Sequence, residues 1–419
     1  MTPHLPAATA APSNAATPPT PRSSLPLLDR LLRRTRFGSL TLTLPNGRRI
    51  EAHGAEAGPH ASLQLHRWKP LLRLALQGDL GLALAYRDGD WDSPDLLALL
   101  EFGLANEAAW GGSLLQGRGP GRWLARLAHL ARANTRRGSR HNISSHYDLG
   151  NAFYGQWLDE TMLYSSALYE DAAHDDTHND TLEAAQARRL QRIVQMLDVP
   201  AGGTVLEIGC GWGTLAATLA RECGAQVTGV TLSTEQLAFA QERATAWGVA
   251  DRVDLRLQDY RDVPGRFDRI VSIEMIEAVG EAYWSTYFDT LRERLRPGGV
   301  AVLQAITMAD EHFESYRAGA DFIQHCIFPG GMLPSPHVLR EQAARAGFVV
   351  EEVQTFGASY ARTLAEWRQR FLANWVAIEP LGFDQAFKRL WTYYLCYCEA
   401  GFNAGRVDVG LYRLRRVGD

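Results

Sequence analysis

The chain has 419 residues, 46% of them apolar, and a formal charge of −4. That length exceeds one typical domain and supplies a sizeable core, so two domains are expected, and the near-neutral balance gives no electrostatic case for nucleic acid as a partner. Five cysteines, an odd number without metal-ligand spacing, argue for a reduced cytosolic protein and against a disulfide framework or a zinc site.

Residues 1–27 are rich in Ala, Pro, Thr and Ser and lack the charged start and apolar core of a signal peptide, which predicts a disordered tail. No apolar run approaches transmembrane length, so any contact with lipid is expected to be peripheral. Residues 28–117 read as a small α+β domain. Leu40-Thr-Leu-Thr-Leu44 alternates like a strand, Pro45-Asn-Gly-Arg48 makes a turn, and Leu63–Leu76 with Leu80–Tyr86 reads helical. Residues 118–145 read as a basic linker helix: Arg118–Arg140 carries seven arginines and no acid, with Leu124, Leu127 and Leu130 on one face. Such a helix either lies on an anionic membrane surface or packs its leucines onto the core.

The remaining domain, 146–419, opens with His146-Tyr-Asp-Leu-Gly-Asn-Ala-Phe-Tyr154 and Trp157–Tyr169, whose aromatics, small polar residues and turn formers predict an irregular lid rather than a core element. Val205-Leu-Glu-Ile-Gly-Cys-Gly-Trp-Gly-Thr-Leu-Ala216 then passes from an apolar strand through three alternating glycines into a helix. Gly209, Gly211 and Gly213 leave the backbone open to a ligand and permit positive φ where the chain reverses. Helices follow at Leu215–Glu222, Thr234–Trp247 and Tyr283–Leu295, the last ended by Arg-Pro-Gly-Gly. Strands follow at Gln226–Leu232, Arg252–Leu257, Phe267–Ile273 and Val300–Ile306. This alternation predicts an α/β, doubly wound parallel sheet with ligands beyond the carboxyl ends of its strands. Gly209–Gly213, Thr231–Gln236, Asp259 with Tyr260, Glu274–Glu277 and Gln304–Ile306 fall on that rim.

Glu207-x-Gly-x-Gly-x-Gly departs from the dinucleotide G-x-G-x-x-G spacing and resembles the first motif of class I S-adenosylmethionine-dependent methyltransferases. The 146–169 segment resembles the corresponding stretch of the cyclopropane-fatty-acyl-phospholipid synthases and mycolic acid methyltransferases. Gly229–Gln236, Gln258–Arg261, Asp268–Ser272, Glu277–Gly280, Phe328–Gly331 with Leu333–Ser335, Phe356–Tyr360, and Tyr393–Tyr394 with Cys398–Phe402 continue that likeness over most of residues 38–414. It implies a seven-stranded methyltransferase sheet, S-adenosylmethionine as methyl donor, and the cis double bond of a phospholipid acyl chain as acceptor. The product it implies is a cyclopropane fatty acid.

An alkene has no acidic proton, so its π electrons must attack the sulfonium methyl and leave a carbocation. Aromatic faces stabilise such a charge without trapping it, each by about 0.5–2 kcal/mol; Tyr164, Tyr360, Trp391, Tyr393 and Tyr394 are candidates, Trp391 and Tyr393 more as core packing. A base must then take a proton, from the added methyl to close a ring or from a neighbouring chain carbon to leave a methyl-branched alkene. The resemblance implies bicarbonate as that base, held by Glu277, Tyr360 and Ile306. Two further positions depart from the family pattern, Ser166 for its cysteine and Gln304 for its histidine. Both still donate hydrogen bonds, but glutamine carries neither the charge nor the proton of histidine, which predicts a weakened anion site and favours branching. Cys398 matches a cysteine that the resemblance makes catalytic, although its apolar helical run points to an inert buried thiol.

The cofactor contacts implied are Tyr164 and Ser165 to the methionine part, Asp259 and Tyr260 to the adenine, and Thr231, Leu232, Ser233 and Gln236 in place of the usual acid at the end of the second strand. Glu207, Gly209, Cys210, Gly211 and Gly213 complete the set. The alternatives are a noncatalytic lipid-binding homologue, which Ser166 and Gln304 permit, and a methyltransferase acting on a soluble small molecule. The expected partners are phospholipid acyl chains and a membrane surface, with a cytoplasmic location peripheral to the inner membrane face. A homodimer is compatible with the chain.

Overall fold

The computed structural model describes residues 26–111, 149–170 and 180–418. The predicted tail up to residue 25 and the basic linker helix at 118–145 lie outside the described residues.

Between residues 26 and 111 a four-stranded sheet forms from β1 (Phe37–Thr43), β2 (Arg49–His53), β3 (Glu56–Leu65) and β4 (Trp91–Asp92), in the order β2-β1-β3-β4. The alternation read at Leu40–Leu44 buries Leu40 and Leu42 on one face, and the turn carries Gly47 at φ +80°. The helix expected from Leu63 begins instead at Lys69 and runs to Arg87. Leu63 belongs to β3, where it pairs with Leu42 in register, and Pro70 marks the helix's first turn. Gly78, at φ +64°, ψ −141°, breaks the helix in its middle, between the two runs that read helical. The helix Leu96–Asn106 completes this layer.

A second sheet has the order β10-β11-β9-β8-β5-β6-β7. It consists of β5 (Thr204–Ile208), β6 (Gln226–Thr231), β7 (Val253–Leu257), β8 (Phe267–Ile273), β9 (Leu295–Met308), β10 (Phe348–Thr355) and β11 (Val407–Arg416). β5 to β9 run parallel, and β11 lies antiparallel between β9 and β10. This is the seven-stranded doubly wound sheet that the resemblance implied. Strands β6 and β7 extend one way from β5 and β8 and β9 the other, so the winding reverses between β5 and β8, where a crevice opens at the carboxyl ends. The Arg296-Pro-Gly-Gly299 segment, expected as a helix stop, lies within the start of β9, because Leu295 already pairs with Phe267.

The helix Leu182–Leu197, absent from the sequence reading, is capped by Thr181, whose side chain accepts from the Ala184 amide. It buries Leu190, Ile193 and Met196 beneath the sheet. The segment expected as an irregular lid is largely core instead. Phe153, Tyr154 and Trp157 are fully buried; Phe153 meets Phe371 and Trp391, Trp157 meets Trp367 and Tyr154 meets Trp212, all edge to face, since rings this large are more stable packed than covering a cleft. The two sheets are joined through the helix Gln385–Asn403. Its Tyr393 lies 5.7 Å from the Tyr86 ring, and its Arg389 donates to the Trp91 carbonyl at 2.6 Å.

Candidate active site

One cavity of about 860 Å3 extends from the glycine loop after β5 to the leucines of the N-terminal sheet. At one end, Gly209, Gly211 and Gly213 all adopt positive φ (+82°, +51°, +80°), as the alternating glycines predicted. A Cβ at Gly213 would come within 2.7 Å of Ala240, so this glycine also lets two helices approach. Glu207 is buried at the end of β5, lines the cavity, and leaves Oε2 without a partner among the described residues. Burial pushes its carboxyl up to about 8. An unpaired carboxylate oxygen beside bare backbone fits a ligand that brings a cation, as the ammonium group of an amino-acid-bearing cofactor does.

Of the other expected cofactor residues, Tyr164, Ser165, Cys210 and Gln236 line the cavity. Thr231, Leu232 and Ser233 do not, and the hydroxyls are tied locally. Thr231 donates to Gln236 Oε1 at 2.9 Å, and Ser233 caps the next helix by accepting from the Gln236 amide. Asp259 accepts from the Arg261 amide and guanidinium (3.0, 2.8 and 2.6 Å) and caps the turn Tyr260–Asp262; neither it nor Tyr260 borders the cavity. Cys210 is a buried thiol pushed up by burial.

Midway along the cavity stands a carboxylate to which the sequence reading gave no role. Glu274 follows the last residue of β8 in a left-handed conformation, φ +48°, its amide held by the Gln304 carbonyl at 2.8 Å. Its Oε1 accepts from the Ser166 amide at 3.0 Å and from Gln304 Nε2 at 2.6 Å, and its Oε2 accepts from the Tyr360 hydroxyl at 2.6 Å. Behind it, Arg189 is 1% exposed and donates to Gln304 Oε1 at 3.2 Å and twice to Gln186 Oε1. Burial raises the Glu274 carboxyl above its ordinary range; the Tyr360 hydroxyl, the Ser166 amide, Arg189 and Gln304 oppose that rise. Burial likewise lowers Arg189 to about 10, against the attraction of Glu274.

Three of the five residues assigned to an anion are therefore committed to Glu274. The Ser166 hydroxyl itself turns away and donates to the Ala167 carbonyl. Glu277 accepts from the Ile306 amide at 2.6 Å, which accounts for the other two, and keeps Oε2 without a partner among the described residues; burial and the neighbouring Glu274 push it up to about 8. These residues do not fit bicarbonate as an additional ligand, because the donors it would need already serve a resident carboxylate. The corrected expectation is thus a filled anion site rather than a weakened one.

Around Glu274 the walls are aromatic. The Tyr164 and Tyr394 hydroxyls lie 2.9 Å apart, and Tyr360 packs on Phe402 at 4.6 Å. Trp391 stacks on Phe387 away from the cavity, whereas Tyr393 lines it. Cys398 also lines it, its thiol pushed far up by burial, which keeps it protonated and a poor nucleophile. Beyond, Leu40, Leu63, Leu80, Leu99 and Phe102 enclose the distal arm. Asp79, also missed, lies there beside the Gly78 break and is raised to about 7 by burial and by Asp321.

Residues 134–411 match the family model described as mycolic acid cyclopropane synthetase. The chain belongs to that family. It is 39% identical over 411 residues to a tuberculostearic acid methyltransferase of Mycobacterium tuberculosis, covering 96% of this chain and 93% of the relative. It is 37% identical over 347 residues to a cyclopropane-fatty-acyl-phospholipid synthase of Escherichia coli, covering 80% and 83%. The solved mycolic acid cyclopropane synthase CmaA1, complexed with SAH and CTAB, superposes with a TM-score of 0.61 at 30% identity, covering 66% of this chain and 98% of that one. The member described here is accordingly a class I methyltransferase using S-adenosylmethionine and acting on lipid, and the cavity accommodates both requirements. Glu207 and the glycine backbone suit the donor, and the leucine-lined arm suits an apolar chain.

Signals for the missed residues existed. Glu274 falls on the strand rim drawn from the sequence, but Ile273-Glu-Met-Ile-Glu277 offers two carboxylates and the resemblance directed attention to the second. Arg189 was legible only through the helix that carries it.

Proposed function

We propose that the protein transfers a methyl group from S-adenosylmethionine to the double bond of an unsaturated acyl chain carried by a phospholipid. The observation that carries this reading is the continuity of one cavity from Glu207 and Gly211 to the leucines of the N-terminal sheet. Each methylene drawn from water into that arm contributes about 0.8 kcal/mol. Trp68, Leu72 and Leu76 are 46, 61 and 55% exposed beside the break at Gly78, and Leu76 also lines the cavity. They supply an apolar entrance through which a tail leaves a membrane surface. No described helix is long and apolar enough to cross a membrane.

The bound donor supplies an electrophilic methyl on a sulfonium. Glu207 accepts from the donor's ammonium group, and the glycine loop admits the rest of the donor to the main chain. Tyr164, Tyr360 and Tyr394 face the charge that develops on the acyl chain, and the apolar walls keep out water that would capture it.

Ring closure and branching differ only in which C–H bond is broken. The chain's own site favours the branched product, since the donors that would hold bicarbonate are occupied; the name of the relative aligned over 96% of the chain supports the same reading, and that of the Escherichia coli relative supports a cyclopropane. Expression in a bacterium lacking its own synthase, with mass spectrometry of the fatty-acid methyl esters, is expected to show chains heavier by one CH2. Catalytic hydrogenation then separates the outcomes: a branched alkene takes up hydrogen, and a cyclopropane resists mild conditions. Unaltered acyl chains would contradict the whole reading.

A further inference from the structure

Methyl transfer to an alkene ends only when a proton leaves. Glu274, Glu277, Tyr360, Tyr394 and Cys398 are among the ionisable groups that line the cavity. Tyr360 and Cys398 are held protonated by burial. Glu277 has one oxygen bound to the Ile306 amide, faces the charge of Glu274, and has no cation acting on it among the described residues. Glu274 alone combines hydrogen-bond donors on both oxygens with a guanidinium, Arg189, behind the amide that holds it. Its backbone is the second independent sign. A non-glycine residue at φ +48° carries a conformational cost that persists where function maintains it, and the conformation delivers this side chain from the rim into the cavity.

We propose that the Glu274 carboxylate is the resident proton acceptor of the reaction, taking the place of a dissociable anion. The inference rests on the methyl-transfer reading above. The alkene π pair forms the new C–C bond to the methyl while the S–C pair returns to sulfur, leaving S-adenosylhomocysteine and a carbocation. Glu274 takes a proton from a carbon next to the cationic centre, and the C–H pair becomes the new double bond; had the proton come from the added methyl, that pair would close the ring. The protonated carboxyl then returns its proton to solvent after product leaves. Arg189, reaching it through Gln304, is a positioning residue that favours the ionised form between turnovers.

The test compares turnover of monounsaturated phosphatidylglycerol vesicles in buffer stripped of carbon dioxide with turnover in buffer supplemented with bicarbonate, using wild type, Glu274→Gln and Glu274→Gly. Wild type is expected to be indifferent to bicarbonate. Glu274→Gln is expected to bind S-adenosylmethionine within about twofold of wild type while kcat falls about 10²–10⁴-fold, the range for removal of a general base. Glu274→Gly, which opens the anion space, is expected to regain turnover with added bicarbonate or formate. Dependence of the wild type on bicarbonate, a measurement that needs no variant to fold, would overturn the proposal. So would a Glu274→Gln enzyme within threefold of wild-type kcat. If the wild type releases no S-adenosylhomocysteine with any unsaturated lipid, the methyl-transfer reading itself falls, an outcome distinct from the other two, and the proposal falls with it.

Discussion

The two ends of the catalytic crevice solve the same electrostatic problem in opposite ways. Glu207, at the end proposed to take the donor, is buried with an oxygen unpartnered among the described residues, whereas Glu274, midway toward the arm proposed to take the acyl chain, has every oxygen supplied with a donor and a guanidinium in reserve. An unpaired buried carboxylate is unfavourable until a ligand completes it, and a satisfied one is ready before any ligand arrives. The donor end is therefore built to be finished by its ligand, and the acyl end is finished in advance.

Breaking the incomplete end should have the largest effect on binding. Glu207→Gln removes the charge proposed to pair with the donor's ammonium group, and should weaken S-adenosylmethionine by about 10–100-fold in calorimetry, since a charge-assisted hydrogen bond contributes about 1.5–3 kcal/mol. The loop beneath it comes next. Gly213→Ala imposes a left-handed alanine and a 2.7 Å approach to Ala240, and should cost about 2 kcal/mol in denaturant unfolding.

A gentler change sharpens the complete end. Tyr360→Phe removes one donor to the Glu274 carboxylate, so the carboxyl rises further and the acid limb of the kcat–pH profile should move to higher pH. Turnover at neutral pH should fall about tenfold, the effect of roughly one lost hydrogen bond to a charged group, and part of it should return in mildly alkaline buffer. An unshifted limb would separate Tyr360 from the titration of Glu274.

The smallest effect is a proton count. Glu207 and Glu277 are raised from 4.5 to about 8, so between those values the folded protein holds protons that the unfolded chain has lost. Their contribution to stability is complete below about 4.5 and is lost as pH rises toward 8, so ligand-free protein should melt progressively lower across that window. Donor binding places a cation beside Glu207 and should release about one proton near pH 7, seen as a difference in binding enthalpy between buffers of unequal ionisation enthalpy. Glu207→Gln should abolish that difference.

The sequence made the sheet and its rim legible because strand-to-helix alternation and the glycine triad act locally, through backbone conformation at Gly209, Gly211 and Gly213. What it did not display was long-range. Glu274 meets Ser166, Gln304 and Tyr360 only when four separate segments converge, and no spacing in the chain records that meeting. Phe153, Tyr154 and Trp157 looked like lid residues because their segment has no regular period, yet side-chain volume drew them into the core. Helix and strand were confused at Leu63 because an apolar run after an alternating strand reads as either until Pro70 marks the boundary.

Methyl transfer to the acyl chain is read directly when purified protein receives S-adenosylmethionine bearing a fully deuterated methyl, together with monounsaturated phospholipid vesicles, and the acyl chains are measured by mass spectrometry. One S-adenosylhomocysteine is expected for each labelled chain, with all the methyl deuterium retained when Glu274 takes its proton from the chain. Donor turnover with the label absent from the acyl chains, or no donor turnover at all, would contradict methyl transfer to the chain.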